Sequence, residues 1–205
     1  MTLEWQKLDQ DKAYKALELI NPKIEPIAMD AENTSVRILP LSFYPNLKFY
    51  EMTDLSAVPA ARKYALADQK SKNVYVVNWT NDPIYEANTE EEFILDKKTV
   101  KAYVSFFFAY VRGRHGRFIV IENFDEIKWQ NEPPQQGRKV IQEMLAPVKV
   151  IDQDEDGTFN LEAYMLFKDA LFKTTIHVAP DGNVAMSEEE LKIEGMPIIQ
   201  DVMIA

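Results

Sequence analysis

Six consecutive residues, Arg112-Gly113-Arg114-His115-Gly116-Arg117, place three arginines and a histidine in a chain whose net charge is −10. Arginine forks match the oxygens of carboxylates and phosphates, and a histidine can change charge near neutrality. Two glycines let the backbone turn sharply and approach a ligand. The pattern offers an anion site built from Arg112, Arg114, His115 and Arg117. A structural reading explains the same residues and is preferred. Glycine ends a helix, basic side chains complement its C-terminal dipole, and arginines pair with surplus carboxylates. A helix C-terminus is also the wrong end for anion binding by backbone amides.

A second cluster, Asp152-Gln153-Asp154-Glu155-Asp156-Gly157-Thr158-Phe159, copies the first eight positions of an EF-hand loop. Asp152, Asp154 and Asp156 alternate and could meet on a hard cation. The twelfth position, however, is Ala163 where a bidentate glutamate is required, Glu162 comes one residue early, and the flanks read as strands. A solvated hairpin turn with Asp156-Gly157 at its tip is the preferred reading, and a weak calcium site over 152–157 is the alternative. Otherwise no metal or cofactor is expected. The two histidines, His115 and His177, leave few combinations for zinc, and His177 reads as lying on a solvated strand face with Lys173 and Thr175. No nucleophile elbow, Walker loop, dinucleotide fingerprint or H-E-x-x-H is present. Glu122 ends the apolar stretch 118–121, a position that carries ligand-binding polar groups when it faces a cavity. Trp79, Tyr103 and Glu122 are therefore the candidate pocket lining. Trp5, Trp79 and Trp129 are scattered and define no stacking platform.

The composition sets the outer limits. The chain has 205 residues, 46% hydrophobic and 27% charged. That length buries roughly 70% of the unfolded surface without staples. The absence of cysteine excludes disulfides, iron–sulfur clusters and thiol nucleophiles. The acidic balance argues against nucleic acid and anionic lipid as partners. No apolar run reaches the ~18 residues of a membrane helix, and the first seven residues lack a secretory pattern. A cytoplasmic protein, compatible with a homo-oligomer, is expected.

Along the chain, 11–20 reads as a helix ended by Asn21-Pro22, and 24–29 with 35–39 as a hairpin around Asp30-Ala31-Glu32-Asn33. Residues 47–52 and 74–79 read as strands, 59–67 as a helix and 80–83 as a turn. Thr89 and Glu92 have capping-box spacing, with Asp96 a second candidate cap. From 97 to 112 apolar residues recur at helical spacing and widen to most of the circumference, which predicts a long buried helix ended by Gly113. Residues 118–121 read as a central strand and 133–145 as a helix. Strands at 148–151, 159–167, 172–178 and 184–186 follow, with Asp156-Gly157 and Asp181-Gly182 placed as tight turns. The fold class is α+β: an antiparallel meander sheet with the long helix packed across it, preceded by a smaller αβ segment. Cystatin-like and nuclear-transport-factor-like folds share that layout, an analogy that carries no function. One domain over 1–205 is expected, with 1–92 and 93–205 as the alternative division.

The segment 103–118, with Phe106-Phe107-Phe108, Val111-Arg112-Gly113 and Gly116-Arg117-Phe118, resembles uncharacterised bacterial proteins, as does Leu171-Phe172-Lys173 leading to Asp181-Gly182. The resemblance implies a bacterial cytoplasmic protein and no activity. A non-enzymatic binding or interaction domain is the leading expectation, for a protein partner or a small molecule. A ligand-binding or enzymatic cavity domain is the first alternative and the calcium reading the second.

Overall fold

The computed structural model describes residues 4–26 and 28–199. Ile27 of the expected first strand, and residues 1–3 of the N-terminal stretch that lacks a secretory pattern, lie outside the described residues. The protein is α+β, with two antiparallel five-stranded sheets, and it divides into two compact units, 1–94 and 95–205.

In the first unit the strands β1 (Gln6–Lys7), β2 (Thr34–Pro40), β3 (Lys48–Asp54), β4 (Ala61–Ala67) and β5 (Val74–Val77) lie side by side in chain order. Helix α1 (Gln10–Ile20) starts at Asp9, whose carboxylate accepts the Lys12 N–H at 2.9 Å. Its Ala13, Ala16, Leu17 and Ile20 pack on Val36, Ile38, Tyr50, Met52, Ala65 and Ala67 of the sheet. Three expectations fail here. Residues 59–67 contain the strand β4 rather than a helix. The alanines favour a helix locally, but β4 sits between β3 and β5 with Ala65, Leu66 and Ala67 fully buried, and ladder pairing with burial overrides propensity. The described residues of 24–29 form no strand. Instead the Asn21 amide brackets Met29, donating to its carbonyl and accepting its N–H, both at 2.9 Å, and β2 pairs with β3 and β1. Residues 80–83 lead into helix α2 (Asp82–Glu90), with Pro83 in its first turn. The Thr89 hydroxyl donates to the Tyr85 carbonyl inside that helix, so the capping-box spacing at 89–92 marks a helix end.

The second unit opens with helix α3 (Thr99–Tyr110). Its box lies seven residues beyond the first one expected: Asp96 accepts the N–H groups of Lys98 and Thr99, and the Asp96 N–H donates to the Thr99 hydroxyl at 2.7 Å. These amides hold the Asp96 carboxyl below the usual carboxylate range, Thr99 first. Strand β6 (Phe118–Val120) and helix α4 (Gln135–Met144) follow, then β7 (Lys149–Gln153), β8 (Phe159–Phe167), β9 (Ala170–Val178) and β10 (Val184–Ile193). The sheet order is β10-β9-β8-β6, with β7 also on β8. Strands β6 and β7 share one edge of β8: β6 pairs with Met165–Phe167 and β7 with Phe159–Glu162. The expected central strand is thus an edge strand. It is apolar on both faces because Phe118 stacks on Phe167 at 4.4 Å while Ile119 faces a core cluster.

One face of β8 buries Phe159, Leu161, Ala163 and Met165. The other face divides. Toward one end Leu166 and Leu171 join Ile121, Phe124, Ile127, Ile141, Met196 and Ile198 in that core cluster. Toward the other end the face is polar and carries Asn160 and His177 as direct cross-strand partners. Helix α3 touches β6, and the fully buried Tyr103 donates its hydroxyl to the Gly182 carbonyl at 2.7 Å in the β9–β10 turn. These contacts lie toward opposite ends of β8.

Candidate functional site

The chain leaves α3 at Val111 in an extended conformation, so Gly113 is not the left-handed cap expected of it. Gly113 and Gly116 instead face each other in a tight hairpin, exchanging N–H···O bonds of 2.9 and 3.2 Å. Arg114 and His115 are the exposed tip. Gly116 has φ +138°, and an added Cβ would stand 3.2 Å from the Phe167 ring. The second glycine is therefore required by backbone geometry and by the ring behind it. Arg117 leaves the hairpin into β6 with its Nε donating to the Phe108 carbonyl at 3.4 Å.

Below the hairpin lies a pocket of about 320 Å³. Its floor is apolar, formed by Ile119 and Ile121 next to β8, Leu166 on β8, and Ile198 from the returning C-terminal segment, whose Ile199, more than half exposed, also lines the pocket. Its rim carries His115, Arg117, Lys128 and Lys168, with Glu126 as the sole acidic lining residue among the described residues. Lys168 stands with φ 54° in the β8–β9 turn, its ammonium 5.3 Å from the Phe167 ring centroid. The C-terminal segment is fixed by backbone bonds from Met196 to the Asp169 carbonyl, from Gln130 to the Pro197 carbonyl and from Ile199 to the Lys128 carbonyl, each 2.8 Å. The arrangement can hold an anionic group at the rim and an apolar body on the floor.

Of the basic cluster, His115 and Arg117 line this pocket, while Arg114 and the half-buried Arg112 do not. Lys128, Lys168, Ile198 and Ile199 escaped the sequence reading. They are far apart in the chain, and no local spacing signals a site that strand pairing and a returning tail assemble. The candidate lining residues are placed elsewhere. Trp79 belongs to the first unit, edge-on to Tyr64 at 5.8 Å. There a row of rings runs from Trp5 through Phe49 and Tyr64 to Trp79, so two of the scattered tryptophans stand at the two ends of one row. Tyr103 is the buried tie to Gly182 described above. Glu122 accepts the Val148 N–H at 2.9 Å and joins the end of β6 to the approach of β7.

The acidic loop does not gather its carboxylates around a cation. Asp152 and Asp154 accept from the Asn160 amide at 2.6 and 2.9 Å, whereas Asp156 turns to the Thr158 N–H at 2.9 Å, the contact that lowers its pKa. Among the described residues no group of three or more His, Asp or Glu side chains is placed to hold a metal. His177 is half-buried rather than a freely solvated surface histidine: its Nδ1 meets Asn160 and its Nε2 meets Ser187, both at 2.6 Å. Among the described residues no helix is long and apolar enough to cross a membrane. No family model, curated protein or solved structure matches the chain.

Proposed function

We propose that the second unit is a binding domain for a small organic anion with an apolar body, seated below the Gly113–Gly116 hairpin. The observation that carries this reading is the meeting of His115, Arg117, Lys128 and Lys168 over a floor of isoleucine and leucine in a protein of net charge −10. Cations concentrated at one hollow of an acidic chain favour an anion there and draw it in by long-range attraction. At roughly 30 Å³ per water, the pocket equals about ten waters, which sets a ligand on the order of ten non-hydrogen atoms.

Hexanoate is a fitting probe, with hexanol as the uncharged control. Hexanoate at ten times its Kd stabilises the protein by about 1.4 kcal/mol through mass action, and the thermal midpoint rises. Hexanol gives a smaller rise, and Lys168→Glu with Lys128→Glu removes the hexanoate effect. Added salt weakens it, because the rim is exposed. Equal responses to hexanoate and hexanol, or none to either, refute the proposal.

A further inference from the structure

Toward the end of β8 away from the pocket, four strands carry a continuous polar row across the open face of the sheet. Asp152 lies on β7, Asn160 on β8, His177 on β9 and Ser187 on β10, with Asp154 in the loop that joins β7 to β8. The contacts are Asn160 Nδ2 to Asp152 at 2.6 Å and to Asp154 at 2.9 Å, Asn160 Oδ1 to His177 Nδ1 at 2.6 Å, and His177 Nε2 to Ser187 Oγ at 2.6 Å.

Chemistry fixes the direction of the Asn160 bonds in this row, and of the Ser187 bond when the imidazole is neutral. Ionised carboxylates only accept, so the amide nitrogen of Asn160 must face Asp152 and Asp154. Its oxygen then faces the imidazole and can only accept, which places the imidazole proton on Nδ1. In the neutral ring Nε2 is left with its lone pair, and the Ser187 hydroxyl must donate to it. A hydroxyl donating to an imidazole whose other nitrogen is held by a fixed acceptor is the arrangement of an activated nucleophile.

The surroundings of Ser187 fit that role. Its carbonyl accepts from the Thr174 hydroxyl at 2.8 Å, and Thr174 is only 3% exposed, so the backbone there is anchored. The next residue, Glu188, has φ 52°, and the register passes from Ser187↔Thr175 to Glu190↔Lys173 with Glu188 and Glu189 left without a cross-strand partner. Such a bulge interrupts the ladder and re-aims the side chains beside it. A hollow of about 290 Å³ is lined in part by Glu188, the next residue in the chain, and by Thr175, the cross-strand partner of Ser187, while Ser187 and His177 are not themselves lining residues. Its charges are Glu162, Glu188, Glu190 and Lys173, and Lys173 is paired to Glu162 at 2.8 Å. A hollow with that balance admits a neutral or cationic substrate and repels an anion.

We propose that Ser187 and His177 are catalytic residues of a second site, with Asn160 as the positioning residue, that hydrolyses small neutral or cationic esters. The Ser187 oxygen bonds to the ester carbonyl carbon while its proton passes to His177 Nε2. The carbon–alkoxy bond then breaks, and the alcohol leaves with that proton. Water attacks the acyl-serine with Nε2 as base, releasing the acid and restoring the hydroxyl.

The test is reaction of the full chain with an uncharged alkyl fluorophosphonate. Here the Ser187 oxygen–phosphorus bond forms, the phosphorus–fluorine bond breaks, the serine proton goes to His177 and fluoride leaves. The expected mass spectrum shows one adduct per chain, mapped to Ser187, absent in Ser187→Ala and formed at least tenfold more slowly in His177→Ala. No adduct, or the same adduct in Ser187→Ala, overturns the proposal. Nitrogen NMR of the wild-type imidazole gives a second readout that needs no variant to fold: Nδ1 protonated and Nε2 bare supports the site, and the opposite tautomer overturns it. In Asn160→Ala the two tautomers are expected to mix, and an unchanged tautomer removes Asn160 from its role.

Discussion

Replacing Gly116 with alanine tests the hairpin that carries the pocket rim. The perturbation has two parts. At φ +138° an L-residue is strained, which costs about 1–3 kcal/mol. The new Cβ also stands 3.2 Å from a ring carbon of Phe167, so that ring must give by a few tenths of an ångström although it is stacked on Phe118. In a unit of about a hundred residues each kcal/mol moves the midpoint by roughly 4–8 °C, so the expected fall is about 4–24 °C. Gly113→Ala is the matched control. Its φ is not in the left-handed region, and its Cβ would meet nothing closer than the Gly116 carbonyl oxygen at 3.5 Å. A change within about 0.5 kcal/mol is expected there. Urea unfolding and thermal melts of both variants, followed by near-ultraviolet circular dichroism, supply the comparison. Equal stability of the two variants would refute the reasoning. Because Gly116 places His115 and Arg117, the hexanoate response should fall in Gly116→Ala and persist in Gly113→Ala.

Tyr103→Phe removes the donor to the Gly182 carbonyl and should cost about 1–3 kcal/mol in urea unfolding, with the hexanoate response intact. A loss of hexanoate binding at unchanged stability would instead make Tyr103 a ligand contact. Asp96→Ala should lower the thermal midpoint at neutral pH. The folded-state pKa of Asp96 is depressed, so its contribution is present above the unfolded value of about 4 and is lost as pH falls through the folded one. Melts across that range should show the wild type and variant converging in acid, and a constant gap would contradict the cap. Millimolar calcium should leave the midpoint unchanged, and a rise abolished by Asp154→Asn would restore the cation reading of the 152–157 loop.

Elements held by their own periodicity were legible in the sequence. The stripe from Val100 to Val111 marks α3, and the alternation of Phe159, Leu161, Ala163, Met165 and Phe167 marks β8, because 3.6- and 2-residue periods follow from local geometry. The turns at Asp156-Gly157 and Asp181-Gly182 were legible because glycine takes up positive φ there. The α+β class follows from the same signals. Strand β4 was not legible, since the alanines that favour a helix in isolation serve in the sheet as small residues beneath α1. Half of the pocket rim, His115 and Arg117, stood out as charge density in an acidic chain. Lys128, Lys168 and Ile199 did not, and neither did the row from Asp152 to Ser187, whose members look like ordinary surface polar residues one strand at a time. Strand register alone makes them neighbours. Register is set by which apolar faces must be buried together, a condition on the whole sheet that no local window contains.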